Sequence, residues 1–389
     1  MRKVKFINVL VLCLLVISCK KETDNNTALS LDKVNGFVQK GPYLNGTNIY
    51  ISELSPNYMP TGKIFTSQIL DNNGTFEVAN VELASHYVEL KADGFYFNEV
   101  TNKNSTSQLT LFALSDLSVK TSLNVNILST LERNRVYYLI SNGKDFASAK
   151  NQAQSEILKI FNLQKSDIPI SEKLDIAKSG DDNAILLAIS VIVQGYLPVS
   201  DLSELIANII TDIREDGILN SQTLGSALIN NAKTIKLSSI RDNLKNRYNV
   251  LGIDAAIPDF EKYVNRFIDS TQFVFTGYIK YPITGKYGLN ILDKDKVEYS
   301  AGSYSMKAIL PEGTSLQVKI AGTNWFYPSF QDNTGWIDSE YNSTDNSRIF
   351  TATQTGEIDF QMSLGANTTI SVFENGVTSP TWSKEIAIK

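Results

Sequence analysis

The 389-residue sequence is poor in the side chains that carry most redox and metal chemistry. It holds two cysteines, Cys13 and Cys19, and one histidine, His86. Cys13 lies inside an apolar N-terminal run, so a chain processed there keeps Cys19 alone, which excludes a disulfide and a multi-thiolate metal site. One histidine excludes multi-histidine zinc sites and most haem ligation. Any Ser-His-Asp arrangement has to use His86, which sits in the strand-like run Ser85-His86-Tyr87-Val88-Glu89-Leu90 and reads as a surface or turn-proximal strand residue. Phosphate-loop, dinucleotide-binding and serine-elbow motifs are absent. The formal charge is −5 and there is no basic run, so no nucleic-acid partner is expected, since that affinity comes from Lys and Arg on phosphates. These absences leave no cofactor and no metal to expect.

What is present begins at the N-terminus. Arg2, Lys3 and Lys5 precede an apolar run from Phe6 to Ile17, broken only by Asn8. It falls short of the roughly 20 apolar residues of a membrane span and has the length of a signal-peptide core. The run ends in Val16-Ile17-Ser18-Cys19, an aliphatic residue, a tolerant position, a small residue and a cysteine, and this resembles the bacterial lipobox. The resemblance implies cleavage before Cys19, lipid on its thiol, acylation of the new amino group (palmitate or a similar chain), and a membrane as partner. Several acyl chains hold where one does not, each buried CH₂ being worth about 0.8 kcal/mol. Residues 1–18 then form a signal peptide whose loss makes the chain three charges more negative, and 19–33 a disordered polar tether. Lys20-Lys21-Glu22 behind the cysteine resembles the surface-export signals of Bacteroidota lipoproteins. It implies an outer-membrane anchor facing the cell surface rather than the periplasm.

From residue 34 to 120 the pattern is β. Thr47–Leu54 alternates, and Phe65–Leu70 leads through Asp71-Asn72-Asn73-Gly74 into Thr75-Phe76-Glu77-Val78, which predicts a hairpin. Asp71 also starts a calcium-loop pattern with Glu82 at position 12, but a strand occupies the middle and a plain turn is the better reading. The turn, the strand His86–Lys91 and the step Asp93-Gly94-Phe95 resemble the carboxypeptidase-regulatory-like, or prealbumin-like, β-sandwich over residues 34–100. Ala84-Ser85-His86 departs from the glycine usual before the tyrosine. That family is a spacer or binding module, so the resemblance implies no catalysis.

From 121 to 270 the apolar period becomes helical and predicts a bundle of about six helices. Val125, Leu128, Leu131, Val136 and Leu139 mark the first, with Arg133 and Arg135 off its apolar face. Asp145 caps a second over Phe146–Phe161, and Ala184–Val193 is apolar all round, as a buried central helix is. Asp201 with Glu204 reads as a capping box, Thr223–Arg247 as one long helix or a broken pair, and Pro258 as a helix start. Asp212, Glu215 and Asp216 read as a solvated helix end rather than a di-metal or glycosidase pair, because the bundle lacks the Glu-x-x-His such sites use.

Residues 271–389 return to short alternating strands and predict an antiparallel immunoglobulin-like sandwich without that domain's Cys…Trp…Cys pattern. One stretch, 324–346, concentrates aromatic and polar side chains. Trp325, Tyr327, Asp332, Trp336, Asp338 and Tyr341 are candidate ligand contacts, since sugars stack on aromatic faces while Asp and Asn bind hydroxyls. The competing reading packs both tryptophans beneath a crossover loop, and the spacing of Asp332, Asp338 and Asp345 does not suit calcium. The expectation is a multidomain α+β protein with an N-terminal antiparallel β-sandwich, a central all-α bundle and a C-terminal antiparallel β-sandwich. Its role is structural or binding, without catalysis. Glycan capture through 324–346 is the alternative, with a glycan or an envelope protein as partner.

Overall fold

The computed structural model describes residues 28–118 and 122–275, and beyond them the backbone of the strands between Ile279 and Ala387. The fold is mixed α+β. Nine strands come first: β1 (Leu29–Gln39), β2 (Asn48–Leu54), β3 (Pro60–Gln68), β4 (Thr75–Leu83), β5 (Tyr87–Gly94), β6 (Phe97–Asn98), β7 (Lys103–Asn104), β8 (Leu109–Asp116) and β9 (Val125–Asn126). One antiparallel sheet has the order β3-β2-β5-β8. A second runs β4-β1-β9, with β4 antiparallel to β1 and β9 added in parallel through Val38 opposite Val125. β5 shows the expected period of two, with Val88, Leu90 and Ala92 buried. In β4, Asn80 takes a left-handed φ of 53°, so Phe76 and Val78 before it and Val81 and Leu83 after it are all buried despite the odd spacing. Asparagine tolerates that conformation better than most residues.

The Asp71–Gly74 turn forms as read, but not as a hairpin. Asp71 Oδ1 accepts from the Asn73 and Thr75 amides at 2.9 and 3.3 Å, and Gly74 has φ +79°. The turn joins β3 to β4, which belong to different sheets. The reason lies outside the turn: the Val38 amide donates to the Gly74 carbonyl at 2.8 Å, which commits β4 to β1.

Gly36 meets the parallel return of the chain. The Leu123 amide donates to the Asn35 carbonyl at 2.9 Å, and a Cβ at Gly36 would lie 1.7 Å from the Leu123 carbonyl oxygen. Backbone cannot yield as a flexible side chain does. Gly36→Ala is expected to cost about 3 kcal/mol, the upper range for overpacking, and an unchanged urea midpoint would show that β1 and the 122–125 segment are not this close.

Seven helices follow among the described residues: α1 (Ile127–Ser141), α2 (Phe146–Ile160), α3 (Asp181–Gln194), α4 (Val199–Asp212), α5 (Gln222–Thr234), α6 (Leu237–Val250) and α7 (Glu261–Ser270). The Asn126 side chain accepts from the Ser129 amide at 2.9 Å while Ser129 Oγ accepts from the Asn126 amide at 3.0 Å, a reciprocal cap that starts α1. Asp145 caps α2 by accepting from the Ser148 amide at 2.9 Å. α3 is buried from Ala184 to Gln194, as its all-round apolarity predicts. The 223–247 region is a broken pair, with α5 ending before the extended Ile235.

Four expectations shift. Val125, read as part of the first helix, lies in β9 opposite Val38, and α1 starts only after the Asn126 cap. α4 starts at Val199 behind Pro198, so Asp201 lies in its first turn rather than at its cap. Pro258 precedes α7 by three residues instead of opening it. Arg135 is 5 % exposed rather than off the apolar face. Its guanidinium donates to both oxygens of Glu156 at 2.7 and 2.9 Å and to the Arg214 and Glu215 carbonyls at 3.2 and 2.5 Å. A planar fork with that many acceptors offsets its own burial.

The sheets and helices share one apolar cluster that runs from Val34 and Leu90 through Leu128 and Ile189 to Phe267. The N-terminal turn of α1 also covers the free edge of β8. The Phe112 amide donates to Thr130 Oγ1 at 3.0 Å, and the Phe112 carbonyl accepts from Ser129 Oγ at 2.8 Å. An exposed edge would otherwise be open to pairing with another chain. Among the described residues no single helix is long and apolar enough to cross a membrane. The later strands pair at backbone level: Gly302–Leu310 lies antiparallel to Gly356–Leu364, and Ser315–Ala321 lies between Ser347–Ala352 and Thr368–Glu374.

Candidate functional site

The candidate ligand residues of 324–346 fall differently. Asp338 and Tyr341 belong to the strand Ile337–Asn342, which pairs with Ser347–Ala352. Trp325, Tyr327, Asp332 and Trp336 lie outside the described residues, as do Asp345 and Cys19. Asp212, Glu215 and Asp216 stand at a solvated helix end. Asp212 accepts from the Asn220 amide at 2.7 Å, and Asp216 from the Ile218 amide at 2.9 Å. Among the described residues no three His, Cys, Asp or Glu side chains are grouped to hold a metal ion.

A cleft that the sequence did not suggest opens where the β3-β2-β5-β8 sheet meets the start of α2. It encloses about 400 Å³ and is lined by Tyr58, Tyr87, Leu114, Ser115, Asp116, Asp145, Phe146, Ala147, Lys150, Asn151 and Ile170. The volume is in the range of small-molecule sites. Three rings build one wall: the Tyr58 centroid is 4.7 Å from Tyr87 and 5.9 Å from Phe146, and Tyr87 is 5.0 Å from Phe146. Tyr58 is held in a tight turn with φ 60°, its amide donating to the Ser55 carbonyl at 2.7 Å. A bulky residue in that conformation is strained, and such strain collects at functional sites.

The polar side of the cleft is acidic. Asp116 closes β8 opposite Tyr87. Burial opposes its ionisation, but hydrogen bonds from Ser118 and His86 outweigh burial and hold its carboxyl below the ordinary value. Asp145 is also held below its usual value, by the Ser148 hydrogen bonds of its cap. Burial first, then the hydrogen bond to Tyr87 and the charges of Asp145 and Asp116, push the Tyr58 hydroxyl well above the ordinary tyrosine range. Ser115 is 1 % exposed and its Oγ has no hydrogen-bond partner among the described residues.

Lys150 is the only cation in the lining, and its charge is already matched. It forms ion pairs with Glu132 of α1 and with Glu172, all three side chains being nearly fully buried. Burial disfavours the Lys150 charge, but the two carboxylates more than restore it and its pKa is raised. Burial pushes Glu132 up to about 7, against the lowering by Lys150 and with the raising by Glu172. Ser171 Oγ donates to Glu132 at 3.0 Å.

His86 sits half-buried in the turn between β4 and β5. Its Nδ1 is 2.7 Å from Asp116 Oδ1, and its ring centroid lies 4.1 Å from that of Tyr87. The His–Asp contact is the kind a catalytic triad uses, but among the described residues no hydroxyl is hydrogen-bonded to the ring. The turn itself is fastened by Glu53, whose carboxylate accepts from the Ala84 amide and, at 3.2 Å, from the Ser85 amide.

A sequence signal for part of this site exists. Lys150 falls four residues after Phe146, beside Ala149 and Ala153 on the buried face of α2. A charge on an apolar stripe needs a partner. Tyr58 carries no such signal, because the turn that aims it has no regular period. No protein-family model matches the chain, and no curated protein sequence matches it.

Proposed function

We propose that this chain is a lipid-anchored protein of the bacterial outer membrane, with a binding or structural role and no catalytic one. The observation that carries the reading is the Val16-Ile17-Ser18-Cys19 sequence directly after the apolar run Phe6–Ile17. The expected tether over 19–33 is too long, because Leu29 to Lys33 already belong to β1 and pair with Leu83 to Ala79 of β4; in this reading the polar residues between Cys19 and Leu29 serve as tether. We assign residues 34–120 to a carboxypeptidase-regulatory-like module, 121–270 to a helical bundle, and 271–389 to an immunoglobulin-like sandwich. The modules face the cell surface in this reading. Glycan capture is the runner-up, resting on the aromatic and acidic side chains of 324–346.

Cys19→Ala, expressed in a diderm bacterium, tests the anchor. The variant should move from the membrane fraction to the soluble fraction and lose the acyl mass of the wild type. Retention in the membrane with unchanged mass would overturn the proposal. Protease shaving of intact cells then separates a surface location from a periplasmic one.

A further inference from the structure

We propose that the cleft walled by Tyr58, Tyr87 and Phe146 binds a small organic cation, an amine or quaternary ammonium carrying a compact apolar group. This deepens the binding role proposed above by naming a ligand class, and it does not depend on the lipid anchor.

Charge sets the sign of the ligand. Asp116 and Asp145 both line the cleft, and hydrogen bonds hold both in the ionised form. Lys150 is paired to two glutamates, so it offers no free positive charge to an anion. Glu132 and Glu172 together at least neutralise it. His86 reaches only Asp116, through Nδ1 at 2.7 Å, and offsets at most one of the two carboxylates. The positive end of α2 opposes a cation, yet that end amounts to about half a charge and Asp145 already caps it. The cleft is therefore net negative, and Coulomb attraction selects against anions.

The apolar wall narrows the class further. Aromatic faces attract a cation through their quadrupole, most strongly one that is weakly hydrated. Inorganic cations want a shell of oxygen ligands, and a wall of ring faces and Leu114 does not provide one. An alkylammonium satisfies both walls, its methyl or methylene groups on the rings and its charge towards the carboxylates. The buried Ser115 hydroxyl, unpartnered among the described residues, is a polar group of the lining for which a ligand hydroxyl or N–H is a suitable partner.

The test uses purified full-length protein in detergent and isothermal titration calorimetry. Choline and phenylethylammonium are the cationic probes, and 3,3-dimethylbutan-1-ol is the uncharged shape match of choline. Maltose and acetate serve as neutral and anionic comparisons. At least one cation should bind with a Kd near or below about 1 mM, and choline at least about tenfold more tightly than its uncharged match. The double variant Asp116→Asn, Asp145→Asn should weaken cation binding by about tenfold or more. Asparagine caps helices as well as aspartate does, so α2 should remain, as checked by circular dichroism. Tyr58→Asn should likewise weaken binding while keeping a residue that tolerates the left-handed turn.

Equal affinity for choline and its uncharged match would overturn the proposal. So would cation binding that the double variant leaves unchanged, binding of maltose or acetate in preference to the cations, or no binding by either cation at 10-fold above the expected Kd. Each of these results leaves the Cys19→Ala fractionation untouched, so failure here and failure of the anchor are separate outcomes.

Discussion

Lys150→Met should destabilise the protein by about 3–5 kcal/mol, the usual cost of removing one partner from a buried ion pair. The substitution leaves Glu132 and Glu172 buried together with no cation between them. Methionine fills much of the lysine stem's volume, so the loss reflects charge more than packing. Two facing carboxylates escape by taking up protons, which ties the deficit to pH. With Lys150 gone, Glu132 loses the charge that lowers its pKa, and the burial and the Glu172 charge that raise it are unopposed. Stability from such groups is present in acid and lost as pH rises, so the deficit should be smaller near pH 5 than near pH 8. Urea unfolding of both proteins across that range measures it.

The wild type carries a milder form of the same dependence. Glu132 is pushed up to about 7, chiefly by burial, from an ordinary value of 4.5. Its contribution is fully present below about pH 4.5 and lost as pH rises through about 7. Glu132→Gln removes that titration. The stability of wild type relative to Glu132→Gln should therefore fall between pH 4.5 and 7, by up to about 3 kcal/mol, and then level off. A difference that stays flat across this interval would show that Glu132 is ionised throughout.

The second large effect is expected at Lys40 and Glu99, a pair with both side chains fully buried. Glu99→Ala should cost about 4 kcal/mol, because Lys40 is then left without its counter-charge. Burial already lowers the Lys40 pKa, with Glu99 working against the decrease. Loss of Glu99 lowers it further, so the variant can fold with a neutral lysine. A base whose folded-state pKa is depressed gains stability as pH rises, which makes the Glu99→Ala deficit smaller near pH 10 than near pH 7.

Replacing both partners, Lys40→Met with Glu99→Leu, should cost clearly less than Glu99→Ala alone, since no buried charge remains. The Asn243 side chain donates to the Glu99 carbonyl at 2.9 Å, and the Ser190 hydroxyl to the Lys40 carbonyl at 2.9 Å. Both bonds use backbone acceptors and survive the exchange. If the double variant is as unstable as Glu99→Ala, the pair matters through its shape rather than its charge.

Periodicity placed the strands β2, β4 and β5 and the helix α3, because a run such as Val88, Leu90, Ala92 suits only a half-buried strand. Caps were legible too: Asp145 before Phe146 predicts the start of α2, and it is found there. The Asp71–Gly74 turn was read correctly as a turn and incorrectly as a hairpin. A turn's sequence specifies its own backbone, while the partner of each flanking strand is chosen by contacts elsewhere. Arg135 was misplaced because acceptors from two separate segments, Glu156 and the Arg214-Glu215 backbone, make its burial tolerable, and neither is adjacent to it in sequence.

The amino-acid sequence by itself determined local features of this protein: the alternation of β and α regions, the Asp145 cap of α2, and the classes of chemistry that one histidine and two cysteines forbid. These depend on neighbours a few residues apart. Tertiary structure alone decided that β4 pairs with β1, that Lys150 meets Glu132 and Glu172, and that Tyr58 and Phe146 stand beside Asp116. Each of those contacts closes a long loop, and its free energy comes from burial and charge pairing between segments whose proximity no local pattern records.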